Sequence, residues 1–303
     1  MTRVAAIDVG TNTLLCCVVE QGAGAERVVS DASRITRLGA GVDASGVLAA
    51  AAIERTLDAL TELAANAREQ GATLVHGVGT SALRDAANRD VFVERARAIV
   101  DRFDVIDGAR EAELTFRGAL FGLAERAGAV TVVDIGGGST EIVRGANGVV
   151  EQSASLDVGS VRLTERHGLG AEAPRAEQLR AMRADIEAAM RAHVIDPPLV
   201  MVAGTATNVA AVALGRDLAR GALVPHGEVL DAAELRHAVA RLLAASSEER
   251  RAMIGVERGR HDVIVAGALI LEHVLARSRA TEAMIGGGGV RFGLALALLD
   301  ASC

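Results

Sequence analysis

Residues 130–143 read VTVVDIGGGSTEIV. The apolar residues up to Asp134 predict a buried strand, the small residues after it predict a tight turn, and the next apolar residues begin a second strand. Residues 4–19 read VAAIDVGTNTLLCCVV and repeat this arrangement, with Asp8 in the place of Asp134. The two aspartates are 126 residues apart (134 − 8). The repeat predicts a duplicated architecture with two facing lobes.

The rest of the pattern predicts an α/β protein in which each lobe is a mixed sheet with flanking helices. We expect one lobe at residues 1–123 and the other at 124–291, with a final helix at about 292–303 that packs back on the first lobe. Apolar periodicity and turn residues predict helices at 49–70, 88–102, 111–127, 231–245 and 263–277, a helix of about twenty residues before Pro197, and strands at 74–80, 105–106, 199–203 and 284–285.

Composition excludes several kinds of chemistry. The chain has 303 residues, with 32 Arg and no Lys, five Phe, and neither Trp nor Tyr. A Schiff-base lysine and a lysine-containing phosphate loop are therefore excluded. Five scattered Phe are too few for a platform that stacks single-stranded nucleic acid, and a net charge of −7 argues against duplex nucleic acid as a partner. An anionic ligand must be held locally, by Arg side chains and backbone N–H groups.

Cysteine usage and hydropathy indicate the compartment. Cys16, Cys17 and Cys303 are too few for a disulfide framework, and the first two should point to opposite faces of a strand. The N-terminus has no secretory signal pattern. The most apolar stretches, 199–214 and 263–275, are short or carry polar residues, so neither is expected to span a membrane. We expect a cytoplasmic protein.

The two repeated turns are suited to binding an anion. Glycines let a backbone approach a ligand closely, and consecutive N–H groups and hydroxyls can converge on one anion. Asp8 and Asp134 sit at strand ends, as ligands for a hard cation such as Mg²⁺, with Mn²⁺ as an alternative. The other interpretation is two ordinary hairpins in which each Asp caps its turn. The candidate phosphate ligands are Gly10, Thr11, Asn12 and Thr13 in the first turn and Gly136, Gly137, Gly138, Ser139 and Thr140 in the second.

These motifs resemble a known family. Asp8–Thr13 and Asp134–Glu141 are similar to the two phosphate motifs of the actin/sugar kinase/Hsp70 superfamily and, more narrowly, of the exopolyphosphatase/guanosine pentaphosphate phosphatase (Ppx/GppA) family. The resemblance covers essentially the whole chain and implies two actin-like (ribonuclease H-like) lobes with an active-site cleft between them. Four further segments fit the family in order, at 79–84, 108–112, 204–205 and 260–262.

The resemblance also implies roles for two carboxylates. Glu111 matches the catalytic Glu of the family, which implies a general base that activates water for attack on a terminal phosphoryl group. Its alternative is a solvated residue in the first turn of a helix. For Glu141 the resemblance implies a contact to the metal or to the attacking water, and the alternative is a carboxylate at a strand edge.

Other residues of the family-like segments have weaker signals. Arg84 stands out among the arginines by its family position as a phosphate ligand, and Arg291 is a weaker candidate of the same kind. Gly204 and Thr205 either extend the phosphate site or form a strand-to-helix turn with Thr205 as N-cap. The seven His form no metal-binding signature, so His226 and His261 are expected to be structural. The glycines at 286–289 replace a Ser-Asp segment expected in the family.

We expect a Mg²⁺-dependent hydrolase that releases terminal orthophosphate from inorganic polyphosphate. Longer family members carry a further C-terminal domain, which favours short chains as substrate here. The alternatives are a guanosine pentaphosphate 5′-phosphohydrolase, a small-molecule kinase of the same superfamily, and a non-catalytic module that binds an alarmone or polyphosphate. No sugar-kinase acceptor motif is present. The Ala/Leu-rich helices of the second half suit either a homodimer interface, as in family members, or a core; we expect a homodimer.

Overall fold

The computed structural model describes residues 2–22, 25–123, 128–218 and 224–301. The chain forms two compact units, the first made of Met1–Phe121 with Gly288–Cys303 and the second of Gly122–Gly287. Within the described residues, every helix is too short or too polar to cross a membrane.

The elements alternate along the chain as expected for an α/β protein. The strands are β1 (Arg3–Val9), β2 (Thr13–Gln21), β3 (Glu26–Ile35), β4 (Leu74–Gly79), β5 (Arg102–Val105), β6 (Ala129–Ile135), β7 (Thr140–Ala146), β8 (Val149–Leu156), β9 (Leu199–Val202), β10 (Val229–Asp231) and β11 (Glu282–Ile285). The helices are α1 (Val42–Ser45), α2 (Ala50–Glu69), α3 (Ser81–Asp85), α4 (Arg89–Arg97), α5 (Gly108–Leu120), α6 (Ser160–Arg166), α7 (Ala176–Met190), α8 (Ala203–Leu214), α9 (Ala232–Ala244), α10 (Ser247–Ala252), α11 (Ile264–Ser278) and α12 (Val290–Asp300).

The two sheets repeat one strand order. The first sheet runs β3-β2-β1-β4-β5, and the second runs β8-β7-β6-β9-β11 with β10 added at the edge. In both, the first three strands along the chain pair antiparallel, and two further strands add in parallel on the other side of the first of them. These further strands are β4 and β5 in the first sheet and β9 and β11 in the second. Even the register shift on the second strand recurs, at Val18/Val19 and at Arg144/Gly145. The predicted fold class, two mixed sheets with flanking helices, is confirmed.

The first sheet is buried on both faces, which explains the unbroken apolar runs of its central strands. Cys16 packs in the cluster that contains α2, whereas Cys17 packs on the other face in the cluster that contains Phe292 of α12. The adjacent cysteines thus point to opposite faces, as predicted. Helix α12 packs on α5 and on β1, so the last helix of the chain belongs to the first unit.

The second unit has one large core in which its Ala/Leu-rich helices are embedded. Helices α8 and α11 are buried along most of their length and pack with α9 over the sheet. These helices therefore form core, which was one of the two interpretations of their composition. The homodimer stays a prediction.

Several predicted boundaries were wrong for local reasons. The helix predicted at 88–102 ends at Arg97, because Asp101 accepts a hydrogen bond from the Val75 N–H (2.7 Å) and the chain then continues as β5. The helix predicted from Glu111 begins at Gly108, since Asp107 caps it. That helix ends at Leu120, and its predicted end at 124–127 lies outside the described residues. The long helix before the prolines has 15 residues, in α7.

Candidate functional site

The two glycine turns have the same geometry. The Gly10 N–H donates to the Thr13 carbonyl over 3.1 Å, and the Gly136 N–H donates to the Ser139 carbonyl over 3.0 Å. A Cβ on either glycine would lie 3.0 Å from that carbonyl oxygen. Both positions therefore need glycine because the backbone returns on itself closely. We refer to Gly10–Thr13 as the first turn and to Gly136–Ser139 as the second turn.

The protein itself occupies carbonyl groups of the first turn. The Thr11 carbonyl accepts the N–H of Gly39 over 2.9 Å, and the Asn12 carbonyl accepts two N–H groups from the segment after β3. With these acceptors and the Gly10 N–H used, the other N–H groups and the hydroxyls of the turn are the groups that suit an anion. The turn is buried, and the side-chain Oδ1 of Asn12 has no hydrogen-bond partner among the described residues, as expected where a ligand or its water binds.

The second turn is held in the same way. Its carbonyls at Gly136 and Gly137 accept N–H groups from residues 160–162 over 2.8–3.1 Å. The Gly138 carbonyl accepts a hydrogen bond from Nε of Arg162 over 2.6 Å. A cationic side chain is thus fixed against the second turn, and the sequence reasoning had not identified it.

Both turns are also packed against a glycine that the sequence reasoning missed. A Cβ on Gly39 would lie 2.4 Å from Cγ2 of Thr11, and one on Gly159 would lie 2.4 Å from the Gly137 carbonyl oxygen. Gly39 follows β3 and Gly159 follows β8, so each comes after the third strand of its repeat. A search of the repeat for a shared glycine would have found them.

Asp134 and Glu141 form an acid pair. They lie directly opposite each other in the β6–β7 register, so their side chains share one face of the sheet. Asp134 is 9% exposed and Glu141 is 1% exposed, and the Ser155 hydroxyl donates to Oε1 of Glu141 over 2.7 Å. Two facing carboxylates repel each other unless a cation or a proton lies between them. In the first unit, Asp8 is half-buried, and the residue opposite it in the β1–β2 register is Leu15 rather than a second carboxylate.

The donor set of the acid pair fits Mg²⁺. This ion binds oxygen ligands and is often held by one or two carboxylates, with water and substrate phosphates completing its octahedron. The described residues contain no group of three or more His, Cys, Asp or Glu that could hold a metal on their own. Such a partial shell leaves positions for phosphate oxygens, which a closed structural site would not.

Glu111 lies in the first turn of α5 and is 6% exposed, so it is not a solvated surface residue. Arg84, at the end of α3, donates through Nη1 to Oε2 of Glu111 and to the Ile106 carbonyl, the latter over 3.2 Å. The structure therefore brings together two predicted site residues that are 27 positions apart in sequence. Arg84 is therefore hydrogen-bonded to Glu111 and orients this carboxylate.

The surroundings of Glu111 shift its titration. Burial raises the pKa of Glu111, the charge and hydrogen bond of Arg84 oppose this rise, and the charge of Asp85 adds to it. The net direction is upward from the ordinary value of 4.5. A carboxylate with a raised pKa takes a proton from water more readily, which suits a general base.

Gly204 and Thr205 belong to the first turn of α8, whose N-cap is Val202; the interpretation of Thr205 as N-cap was wrong. The strand ends because Ala203 adopts a φ of +67° and turns the chain directly into the helix. A Cβ on Gly204 would lie 2.2 Å from Cζ of Arg260, so glycine is needed there for the guanidinium to pack on the helix start. Nε of Arg260 donates to Glu257 over 2.6 Å.

Three side chains that were predicted to bind phosphate are instead buried in contacts within the protein. Thr140 is fully buried, and its hydroxyl donates to the Val158 carbonyl over 2.6 Å. Thr205 is buried against Gly267, where a Cβ would lie 2.4 Å from its hydroxyl oxygen. Arg291 is buried in a bidentate pair with Asp31, with both distances 2.7 Å. Arg291, the weaker phosphate candidate, therefore holds α12 to β3.

Two α/β units of one strand order, each with a donor-rich glycine turn, define a protein built by duplication of a strand–turn–strand unit. The chain belongs to the Ppx/GppA phosphatase family, whose family model matches residues 17–302. This confirms the predicted family and, with it, a hydrolase acting on phosphoanhydride bonds.

Three relatives show the extent of the similarity. The chain is 39% identical to Exopolyphosphatase 2 of Mycobacterium tuberculosis over 92% of both chains. It is 29% identical to the guanosine-5′-triphosphate,3′-diphosphate pyrophosphatase of Aeromonas salmonicida, over 97% of this chain and 59% of that protein. The crystal structure of the Aquifex aeolicus PPX-GPPA enzyme superposes with a TM-score of 0.81 at 29% identity, covering 98% of this chain and 99% of the other.

Proposed function

We propose that the protein is an exopolyphosphatase, which releases terminal orthophosphate from inorganic polyphosphate. The observation that carries the choice of substrate is the placement of the aromatic rings. Four of the five Phe are buried, and the fifth, Phe121, stacks on Phe292 with ring centroids 5.6 Å apart. Four rings are therefore closed to a ligand, and the half-buried fifth has one face covered by Phe292, which supports a substrate without a base that must be stacked. Polyphosphate needs only donors and cations, which the turns and arginines provide.

In this mechanism Glu111 accepts a proton from the water that attacks the terminal phosphorus. Arg84 keeps the carboxylate oriented, and its charge and hydrogen bond limit the rise of the pKa of Glu111 and so favour the ionised form that acts as a base. The N–H groups of the two turns, with Thr11, Thr13 and Ser139, neutralise charge on the phosphate oxygens.

The acid pair is proposed to hold Mg²⁺, with Mn²⁺ as the alternative, and Asp8 is proposed separately as a metal ligand of the first unit. The ion supplies positive charge that stabilises the phosphoryl oxygens. The carboxylates of Asp134 and Glu141 fix its position, and Ser155 fixes the carboxylate of Glu141.

The proposal is tested by measuring orthophosphate release side by side on short polyphosphate, long polyphosphate, guanosine pentaphosphate and ATP, with and without Mg²⁺. We expect polyphosphate to be hydrolysed fastest, short chains ahead of long ones, and only with the metal present. Faster release from guanosine pentaphosphate would select the alternative substrate, which the Aeromonas relative favours. Tight binding without release from any substrate would select a binding module, and phosphate transfer from ATP to an added acceptor would select a kinase.

A further inference from the structure

His226 is an exposed side chain whose two ring nitrogens both face backbone groups of the second unit. The Gly287 N–H donates to Nδ1 over 2.9 Å. Because Nδ1 accepts, the neutral ring carries its proton on Nε2. Nε2 lies 3.4 Å from the position that a Cβ on Gly122 would occupy, and the ring hydrogen-bonds the Gly122 backbone. One imidazole thus joins Gly122 to Gly287.

Gly122 and Gly287 are the first and last residues of the second unit. Gly122 follows the end of α5, the helix that carries Glu111 in its first turn, and Gly287 precedes the start of α12. The imidazole therefore ties together the two places where the chain passes from one unit to the other. We call the Gly122–His226–Gly287 arrangement the clasp.

Close glycine packing joins the same two helices within the first unit. A Cβ on Gly118 of α5 would lie 2.0 Å from the Gly289 carbonyl oxygen, and one on Gly288 would lie 2.0 Å from the Gly118 carbonyl oxygen. A Cβ on Gly293 of α12 would lie 1.9 Å from the Leu114 carbonyl oxygen. With backbone against backbone, α5 and the start of α12 behave as one rigid piece. This packing explains one glycine of the 286–289 run, Gly288.

We propose that His226 is a positioning residue for the hydrolytic reaction: by holding Gly122 to Gly287, it fixes the ends of α5 and α12 and thereby the placement of Glu111. The reaction in this inference rests on the proposed function, whereas the clasp itself does not. Partial burial of the ring lowers the pKa of His226 despite the hydrogen bond to Gly122, which favours the neutral ring with Nδ1 as acceptor. Positioning of a catalytic group is worth large factors in rate, because small displacements are costly.

Two substitutions separate the hydrogen bonds from the ring. His226→Phe keeps an aromatic ring but removes both bonds, whereas His226→Gln keeps a donor and an acceptor. His237→Phe is the matched control, since His237 is an exposed histidine on α9. The readouts are amide hydrogen exchange of Gly287, kcat and KM for polyphosphate, and the thermal unfolding midpoint.

In His226→Phe we expect exchange at Gly287 to rise about tenfold and kcat to fall about threefold to tenfold, with KM within about twofold, as for the loss of one or two hydrogen bonds. His226→Gln should recover part of both changes, and His237→Phe should match the parent. Unchanged exchange and kcat in His226→Phe would overturn the proposal. A kcat that falls only in step with the unfolding midpoint would also overturn it. A parent that hydrolyses no substrate would refute the proposed function and the positioning role. In that case, amide hydrogen exchange of Gly287 in His226→Phe would still show whether His226 holds Gly287.

Discussion

Replacement of Glu111 by Gln tests the central residue of the mechanism. Gln has the volume of Glu and still accepts a hydrogen bond from Arg84, but it takes no proton from water. General-base catalysis contributes about 10²–10⁴-fold in rate, which is about 2.7–5.4 kcal/mol at 1.36 kcal/mol per tenfold. We expect kcat for polyphosphate to fall within this range and KM to change little, because Glu111 acts on water rather than on the bound substrate.

The assay is steady-state orthophosphate release, with Glu113→Gln as the matched control. Glu113 lies on the same helix but is exposed and paired with Arg110 over 2.6 Å, so its loss should leave kcat unchanged. A kcat in Glu111→Gln within about threefold of the parent would refute the assignment, since no general base is worth so little.

Thermal unfolding of the same variant shows whether a loss of activity is a loss of fold. The folded pKa of Glu111 is raised, so its stabilising contribution is present below the ordinary pKa of 4.5 and is lost as pH rises through the folded pKa. Gln does not titrate. The stability of Glu111→Gln relative to the parent should therefore increase as pH rises, and a relative stability that falls with rising pH would contradict the upward shift.

Three further substitutions probe Arg84, the second turn and the acid pair. Arg84→Leu removes the charge that restrains the pKa of Glu111, so the acid limb of the pH–kcat profile should move to higher pH; a limb that stays in place would contradict this coupling. Gly136→Ala places a Cβ 3.0 Å from the carbonyl oxygen that closes the second turn and should raise KM for polyphosphate about tenfold by distorting the turn, with Gly170→Ala, which has open space, as control. Ser155→Ala removes the 2.7 Å hydrogen bond to the acid pair and should raise the Mg²⁺ concentration for half-maximal activity by about 10-fold or more, measured by metal titration after chelation; an unchanged titration would remove Ser155 from the metal site.

The elements that could be predicted from the sequence are the buried strands, because a continuous run of apolar residues marks them along the chain. The central strands β1 and β6 are apolar on both faces and end in glycine turns, so both were found nearly to the residue. The edge strands β3 and β8 were missed, since they are largely exposed and mix polar with apolar residues without a clear alternation. An edge strand forms because its backbone hydrogen-bonds to the adjacent strand. Its own side chains therefore carry little information about its position in the sheet.

Parts of the site were beyond prediction for a related reason. The Arg162 contact to the second turn joins segments that are adjacent only after the sheet has formed. The error at Thr205 has a backbone cause: Ala203 adopts a left-handed φ, which composition does not predict for alanine, and so the helix begins three residues early.

The register of the acid pair, by contrast, follows from the turn alone. Across an antiparallel hairpin the residue numbers of facing partners have a constant sum, so closure of the second turn by Gly136 and Ser139 places Asp134 opposite Glu141. The same rule, applied to closure of the first turn by Gly10 and Thr13, places Asp8 opposite Leu15. The duplicated units therefore share a donor-rich turn but differ in the residue that faces the aspartate. Because the second carboxylate occurs only in the second unit, the proposed phosphate binding suits both copies, whereas the proposed metal site with two facing carboxylates suits only one.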